Sequence, residues 1–153
     1  MSTSFTTALS ALALASALVS GAAAGETDGG QQAILKTIST MTSSFAAGDL
    51  DGVLTTYEEG AVVVSAPGQP VEGSEELAAM FGQFIEAGID FDYGEHDIVI
   101  AGDIGLHLMK WTSATPDGDQ SALSVAVLRR QTDGSWLIVI DHPFGDHVMM
   151  DGH

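Results

Sequence analysis

Apolar residues recur at three- and four-residue intervals in the first half of the chain, and at alternate or consecutive positions in the second. Ile34, Leu35, Ile38, Met41 and Phe45 fall on one face of a helix predicted over residues 31–47, with Gly48 as its stop. Behind Asp49, a good N-cap, Leu50, Val53, Leu54 and Tyr57 repeat at helical spacing and predict a short second helix, which gives Asp49 a structural role. Residues 61–65 are small and β-branched, as a strand requires, and Ala66-Pro67-Gly68-Gln69-Pro70 turns the chain. Ser74 is the expected cap of a third helix carrying Leu77, Met80, Phe81, Phe84 and Ile85. Glu75 and Glu76 suit its N-terminal dipole, and Gly88 stops it.

The second half reads as a meander. Strands are predicted over 98–101, 105–112, 121–130 and 135–141, separated by the hairpin signals Gly102-Asp103, Pro116-Asp117-Gly118-Asp119 and Thr132-Asp133-Gly134. Tyr93-Gly94-Glu95-His96-Asp97 reads as a loop. Helices followed by a strand meander make an α+β pattern, and the lack of strand–helix alternation argues against a doubly wound sheet. Strict alternation places His107, Met109 and Trp111 on one face of their strand and Leu106, Leu108 and Lys110 on the other. In the last strand it aligns Trp136, Ile138, Ile140 and His142 against Leu137, Val139 and Asp141. Either face can meet the helices.

Four local features carry a family likeness: Ala47-Gly48-Asp49-Leu50-Asp51, the step from Tyr57-Glu58-Glu59 to Ala61-Val62-Val63-Val64, Gly73 before the third helix, and Asp133-Gly134-Ser135-Trp136-Leu137-Ile138-Val139. Over residues 31–145 the chain resembles the SnoaL-like, ketosteroid-isomerase-like branch of the nuclear-transport-factor-2-like superfamily. The resemblance implies an α+β fold in which a cone-shaped, curved antiparallel sheet wraps around three N-terminal helices. It also implies an interior cavity and, commonly, a homodimer formed through the outer sheet face. Candidate ligand-binding residues for such a cavity are Met41, Phe45, Tyr57, Phe81, Phe84, Met109, Trp111, Trp136 and His142, although each also suits ordinary core packing.

Ketosteroid isomerases need an aspartate base, with a tyrosine and a protonated aspartate as oxyanion donors. In the register set by Ala47-Gly48-Asp49, the tyrosine position falls on Met41, the base position on Ser65 and the oxyanion aspartate near Ala126 or Val127. A thioether is a poor hydrogen-bonding partner and an unassisted serine is no base near neutral pH, so ketosteroid isomerase activity is not expected.

At 153 residues with 45% hydrophobic and 16% charged residues, the chain supports one core. Four Lys and Arg against 21 Asp and Glu give a formal net charge of −17, which repels phosphate backbones and anionic membranes; nucleic acid is not an expected partner. The chain has no cysteine, which excludes disulfides, thiolate metal sites and cysteine nucleophiles. Residues 8–19 form an apolar run followed by Ser20-Gly21-Ala22-Ala23-Ala24, as in a secretory signal, although Lys and Arg are absent from residues 1–7. A signal peptide over 1–24, cleaved before Gly25, a polar lead-in over 25–30 and a periplasmic or secreted domain free of the membrane are the resulting expectations.

Candidate chemistry centres on Asp141-His142 at the end of the last strand. His142 suits proton transfer near neutral pH and Tyr57 can donate a hydrogen bond, so these two are the candidate catalytic residues. His142 can equally bind or merely pack. The tail, residues 146–153, adds His147, His153 and carboxylates, but its spacing matches no metal template; no metal or other cofactor is expected. Three functions follow. One is an exported, noncatalytic or weakly catalytic domain that binds a small apolar or aromatic molecule. Another is a SnoaL-like isomerase, cyclase, lyase or SgcJ/EcaC-type oxidoreductase using His142. The third is a homodimeric assembly module with a vestigial cavity.

Overall fold

The computed structural model describes residues 19–149. The expected signal peptide therefore lies largely outside the described residues, as does His153. Helix α1 runs Val19–Ala46, so it begins ahead of residue 31 and includes the stretch read as a polar lead-in. It ends where Gly48 adopts φ 70° and the Asp49 N–H returns to the Ser44 carbonyl at 2.8 Å, a left-handed termination that favours glycine. Helix α2, Leu50–Leu54, starts as expected: the Asp49 carboxylate accepts the Gly52 N–H at 3.0 Å. Helix α3, Ser74–Glu86, is entered through Gly73 at φ 92°. Ser74 is thus the first helical residue and not the cap; its hydroxyl donates to the Glu59 carbonyl at 3.2 Å.

Among the described residues, six strands form one curved, unclosed sheet: β1 Tyr57–Ala66, β2 Gln69–Glu72, β3 Asp92–Ala101, β4 Ile104–Thr115, β5 Gly118–Arg130 and β6 Trp136–His142. Their spatial order is β2-β1-β6-β5-β4-β3. Four pairings are antiparallel, but β1 and β6, the first and last long strands, lie parallel. The α+β architecture is as expected, with that one parallel pair inside the antiparallel sheet. Register shifts interrupt β1/β2, β1/β6, β3/β4 and β5/β6, and such bulges bend a sheet around whatever it covers.

The helices fill the concave side. Ile34 and Ile38 of α1, Val53 of α2, and Leu77, Met80 and Phe81 of α3 join Tyr57, Val63, Met109, Leu128, Trp136 and Ile138 from the sheet in one buried cluster. Two side chains tie α1 to the strands: Thr37 donates to the Trp136 carbonyl at 2.7 Å and Gln31 to the Ile98 carbonyl at 3.2 Å. Helix and sheet come close enough at Gly105 that a Cβ there would strike Ile34.

Two strand predictions are corrected. The segment around His96 is not a loop but the first half of β3, where His96 pairs with Met109 across the ladder. In β6, the shift between Val127 and Leu128 opposite Ile138–Ile140 leaves Val139 without a register partner. That extra residue reverses the alternation. Trp136 and Ile138 face inward, but Ile140, 46% exposed, turns outward, and Asp141, 7% exposed, turns in.

Candidate functional site

The bulge at Val139 decides which polar group enters the interior. Asp141 pairs with Ala126 on β5 and Val63 on β1, both inward-facing, so its carboxylate stands on the concave side. His142 pairs with Val125 on the opposite face, and its Nδ1 accepts the Phe144 N–H at 3.2 Å. The reading that aligned His142 with Trp136 and Ile138 is thus corrected: of the Asp141-His142 pair, the acid faces the interior.

Tyr57 meets that acid. Its hydroxyl donates to Asp141 Oδ2 at 2.8 Å, and the Ser124 side chain is a further hydrogen-bond partner of the carboxylate. Burial raises the Asp141 carboxyl above its ordinary range; the Tyr57 and Ser124 hydrogen bonds and nearby His142 oppose that rise. Burial, followed by the charge and hydrogen bond of Asp141, holds the Tyr57 phenol well above its usual value. Tyr93 is pushed up to about 12 by burial and then by the Asp141 and Asp90 carboxylates. A buried carboxyl hydrogen-bonded to a phenol is a combination that acid/base sites use.

A cavity lies beside this pair and does not include it. Its volume is about 920 Å³, and it opens where the end of α3, the start of β3 and the β4–β5 turn converge. Phe84, Phe91, Trp111 and Phe144 supply its aromatic wall. Trp111 is held by Phe91 and Phe144, at ring separations of 5.3 and 5.8 Å in edge-on geometry, and by donation from Nε1 to the Pro143 carbonyl at 2.6 Å. Ser65, Thr112, Ser113 and Gln120 are uncharged polar residues of the lining, and every charged residue in it is an aspartate: Asp90, Asp92 and Asp119.

Of the nine residues expected to bind a ligand, Phe84 and Trp111 line this cavity. Phe45 borders a smaller one of about 440 Å³, and Met109 borders one of about 540 Å³ at the β3 bulge. Tyr57, Phe81 and Trp136 are buried in the core, Met41 packs against it, and His142 lies on the other face of the sheet. Phe91 and Phe144 were missed. Phe91 sits in an apolar–acidic stretch, Ile89-Asp90-Phe91-Asp92, without helical spacing, and Phe144 follows the final strand; neither carries a periodic signal.

Two of the residues that the resemblance aligns with isomerase catalytic positions can be placed on the sheet. Ser65, which the resemblance aligns with the base position, lines the cavity, and its hydroxyl donates to the Gln69 carbonyl at 2.9 Å. Ala126 is the cross-strand partner of Asp141, so a carboxyl does stand on the concave face, one strand away from the expected oxyanion position. Among the described residues, no group of three or more His, Asp or Glu side chains is arranged to hold a metal ion.

The SnoaL-like domain model matches residues 38–139, about two thirds of the chain. No curated protein matches. Several solved structures share the fold. An NTF2-like protein with a cystatin-like fold from Novosphingobium aromaticivorans is 16% identical, with a TM-score of 0.65, over 82% of this chain and 87% of that one. A ketosteroid isomerase-like protein from Erwinia carotovora atroseptica is 20% identical, with a TM-score of 0.60, over 72% and 92%. An NTF2-like protein of unknown function from Shewanella oneidensis is 16% identical, with a TM-score of 0.62, over 73% and 96%.

Proposed function

We propose that this chain, which belongs to the SnoaL-like domain family, is an exported module that holds a small apolar or aromatic molecule and is noncatalytic or weakly catalytic. One observation carries the reading: four aromatic rings wall a cavity of about 920 Å³, within the usual range of small-molecule sites, roughly 300–1,000 Å³. Its charged residues are all carboxylates, so neutral or cationic ligands are favoured over anions. The test is native mass spectrometry of the mature protein from the exported fraction of its own cells. A retained organic mass supports the reading, and N-terminal sequencing of the same sample should begin at Gly25. An unprocessed N-terminus contradicts the export half.

A second reading rests on the Tyr57–Asp141 pair. A buried carboxyl whose pKa is raised by burial and which accepts a hydrogen bond from a phenol has the composition of an acid/base catalyst, although the cavity lining leaves both groups out. An enzyme of this family type would therefore act through Asp141 and Tyr57 in place of His142. For assembly, the convex face presents a continuous apolar band across four strands, Leu106, Val127, Ile140 and Val62, which suits pairing with a second copy.

A further inference from the structure

We propose that His96, His107 and Met109 form a binding site for one soft cation, monovalent copper, on the concave face between β3 and β4. The strand ladder brings the three together. His96 and Met109 are direct cross-strand partners, and His107 precedes Met109 by two residues, so all three side chains project from the same face. The His96 and His107 ring centroids lie 5.7 Å apart. Two imidazoles on one metal ion reach at most ~6.3 Å between ring centres, for metal–nitrogen bonds of about 2.0 Å, so this pair sits within bridging distance.

The bulge in β3 makes the arrangement possible. Register shifts between Tyr93 and His96, which puts the imidazole, and not Glu95, opposite Met109. His107 points independently to an occupant. It is fully buried, and among the described residues neither Nδ1 nor Nε2 has a hydrogen-bond partner. A buried imidazole without partners is costly, and an ion on one nitrogen relieves part of that cost. His96 is exposed at the sheet edge and provides a route in from solvent.

The donor set selects the ion. Two imidazoles and a thioether suit a soft, low-coordinate cation; calcium and magnesium require oxygen, and structural zinc takes four ligands. Among the described residues, no Asp or Glu is grouped with these three to complete a harder site.

The experiment is an anaerobic titration of the full chain with Cu(I) buffered by bicinchoninate, followed at the chelator's absorbance. One equivalent of copper should move to the protein, and affinity should fall at least tenfold in His96→Leu and in Met109→Leu. His96→Leu changes an exposed residue and Met109→Leu conserves core volume, so the test does not depend on His107 variants folding. X-ray absorption of the loaded protein should show nitrogen and sulfur neighbours. Failure to withdraw copper from the chelator overturns the proposal. So does copper uptake that survives both substitutions but is lost in His142→Ala/His147→Ala, which would place the ion on the C-terminal segment.

Discussion

The Tyr57 hydroxyl donates to Asp141 Oδ2 at 2.8 Å, joining the start of β1 to the end of β6 across 84 residues of sequence. The two strands are parallel neighbours, and their meeting joins the first and last long strands of the sheet. The bond also ties a buried acid to a donor, since a carboxylate left without partners in that position would be far more costly than the pair.

Its energetics have a definite pH signature. The folded-state pKa of Asp141 is raised by burial, so the fold disfavours the ionised form, and the resulting penalty is present above that pKa and disappears as pH falls through it. Urea unfolding between pH 7.5 and 4 should therefore show wild type gaining stability relative to Asp141→Asn as pH falls. A gap that moves in wild type's disfavour on acidification contradicts this assignment. Tyr57→Phe removes a donor from the buried carboxyl and should destabilise by about 1–3 kcal/mol at pH 7.5.

The aspartate rim predicts selectivity. The neutral probe N-phenyl-1-naphthylamine should bind more tightly than the anionic 8-anilinonaphthalene-1-sulfonate, and the difference should shrink as salt screens Asp90, Asp92 and Asp119. Fluorescence titrations at low and high ionic strength measure both effects. Equal affinities at low salt would remove the electrostatic part of the account.

Packing at Gly105 should be intolerant. Ile34 is fully buried above it, so the methyl group of Gly105→Ala must displace the Ile34 side chain and crowd the Trp136 ring within the packed core. A loss of about 1–3 kcal/mol in thermal or chemical unfolding is expected, the usual cost of overpacking. Gly60, with open space around it, is the control: Gly60→Ala should change stability far less.

The convex band can be tested by charge. Ile140→Asp places a carboxylate where β6 meets Val127 and Val62 on the outer face. If two copies pair through this surface, light scattering should show a dimer for wild type and a monomer for the variant. A wild-type monomer at tens of micromolar would contradict pairing.

Much of this architecture was legible from spacing and punctuation. Asp49, Gly48 and the apolar repeats around Ile34 and Leu77 mark helices because helical period and cap chemistry are local properties. The β4–β5 hairpin was equally plain from alternation around Pro116-Asp117-Gly118. The site was not. Alternation assigns a face only while register holds, and the bulge at Val139 arises from how β6 meets β5, which no residue of β6 announces. One unpaired residue exchanges His142 for Asp141 on the concave face. His96 was missed as a strand residue for a related reason, because Gly94, Glu95 and Asp97 conceal a bulged edge strand. Phe91 and Phe144 join Trp111 only through tertiary packing.

The central claim is that the aromatic-walled cavity holds a small apolar molecule. Its most direct test is titration of N-phenyl-1-naphthylamine into wild type, Trp111→Leu and Ile89→Asp. Trp111 forms the wall, and Ile89, 37% exposed, lines the cavity without contributing to the buried core. Saturable one-to-one binding to wild type, weakened about tenfold or more in both folded variants, is the predicted result, tenfold being about 1.4 kcal/mol. No saturable binding, or binding of equal strength in all three proteins, would contradict the claim.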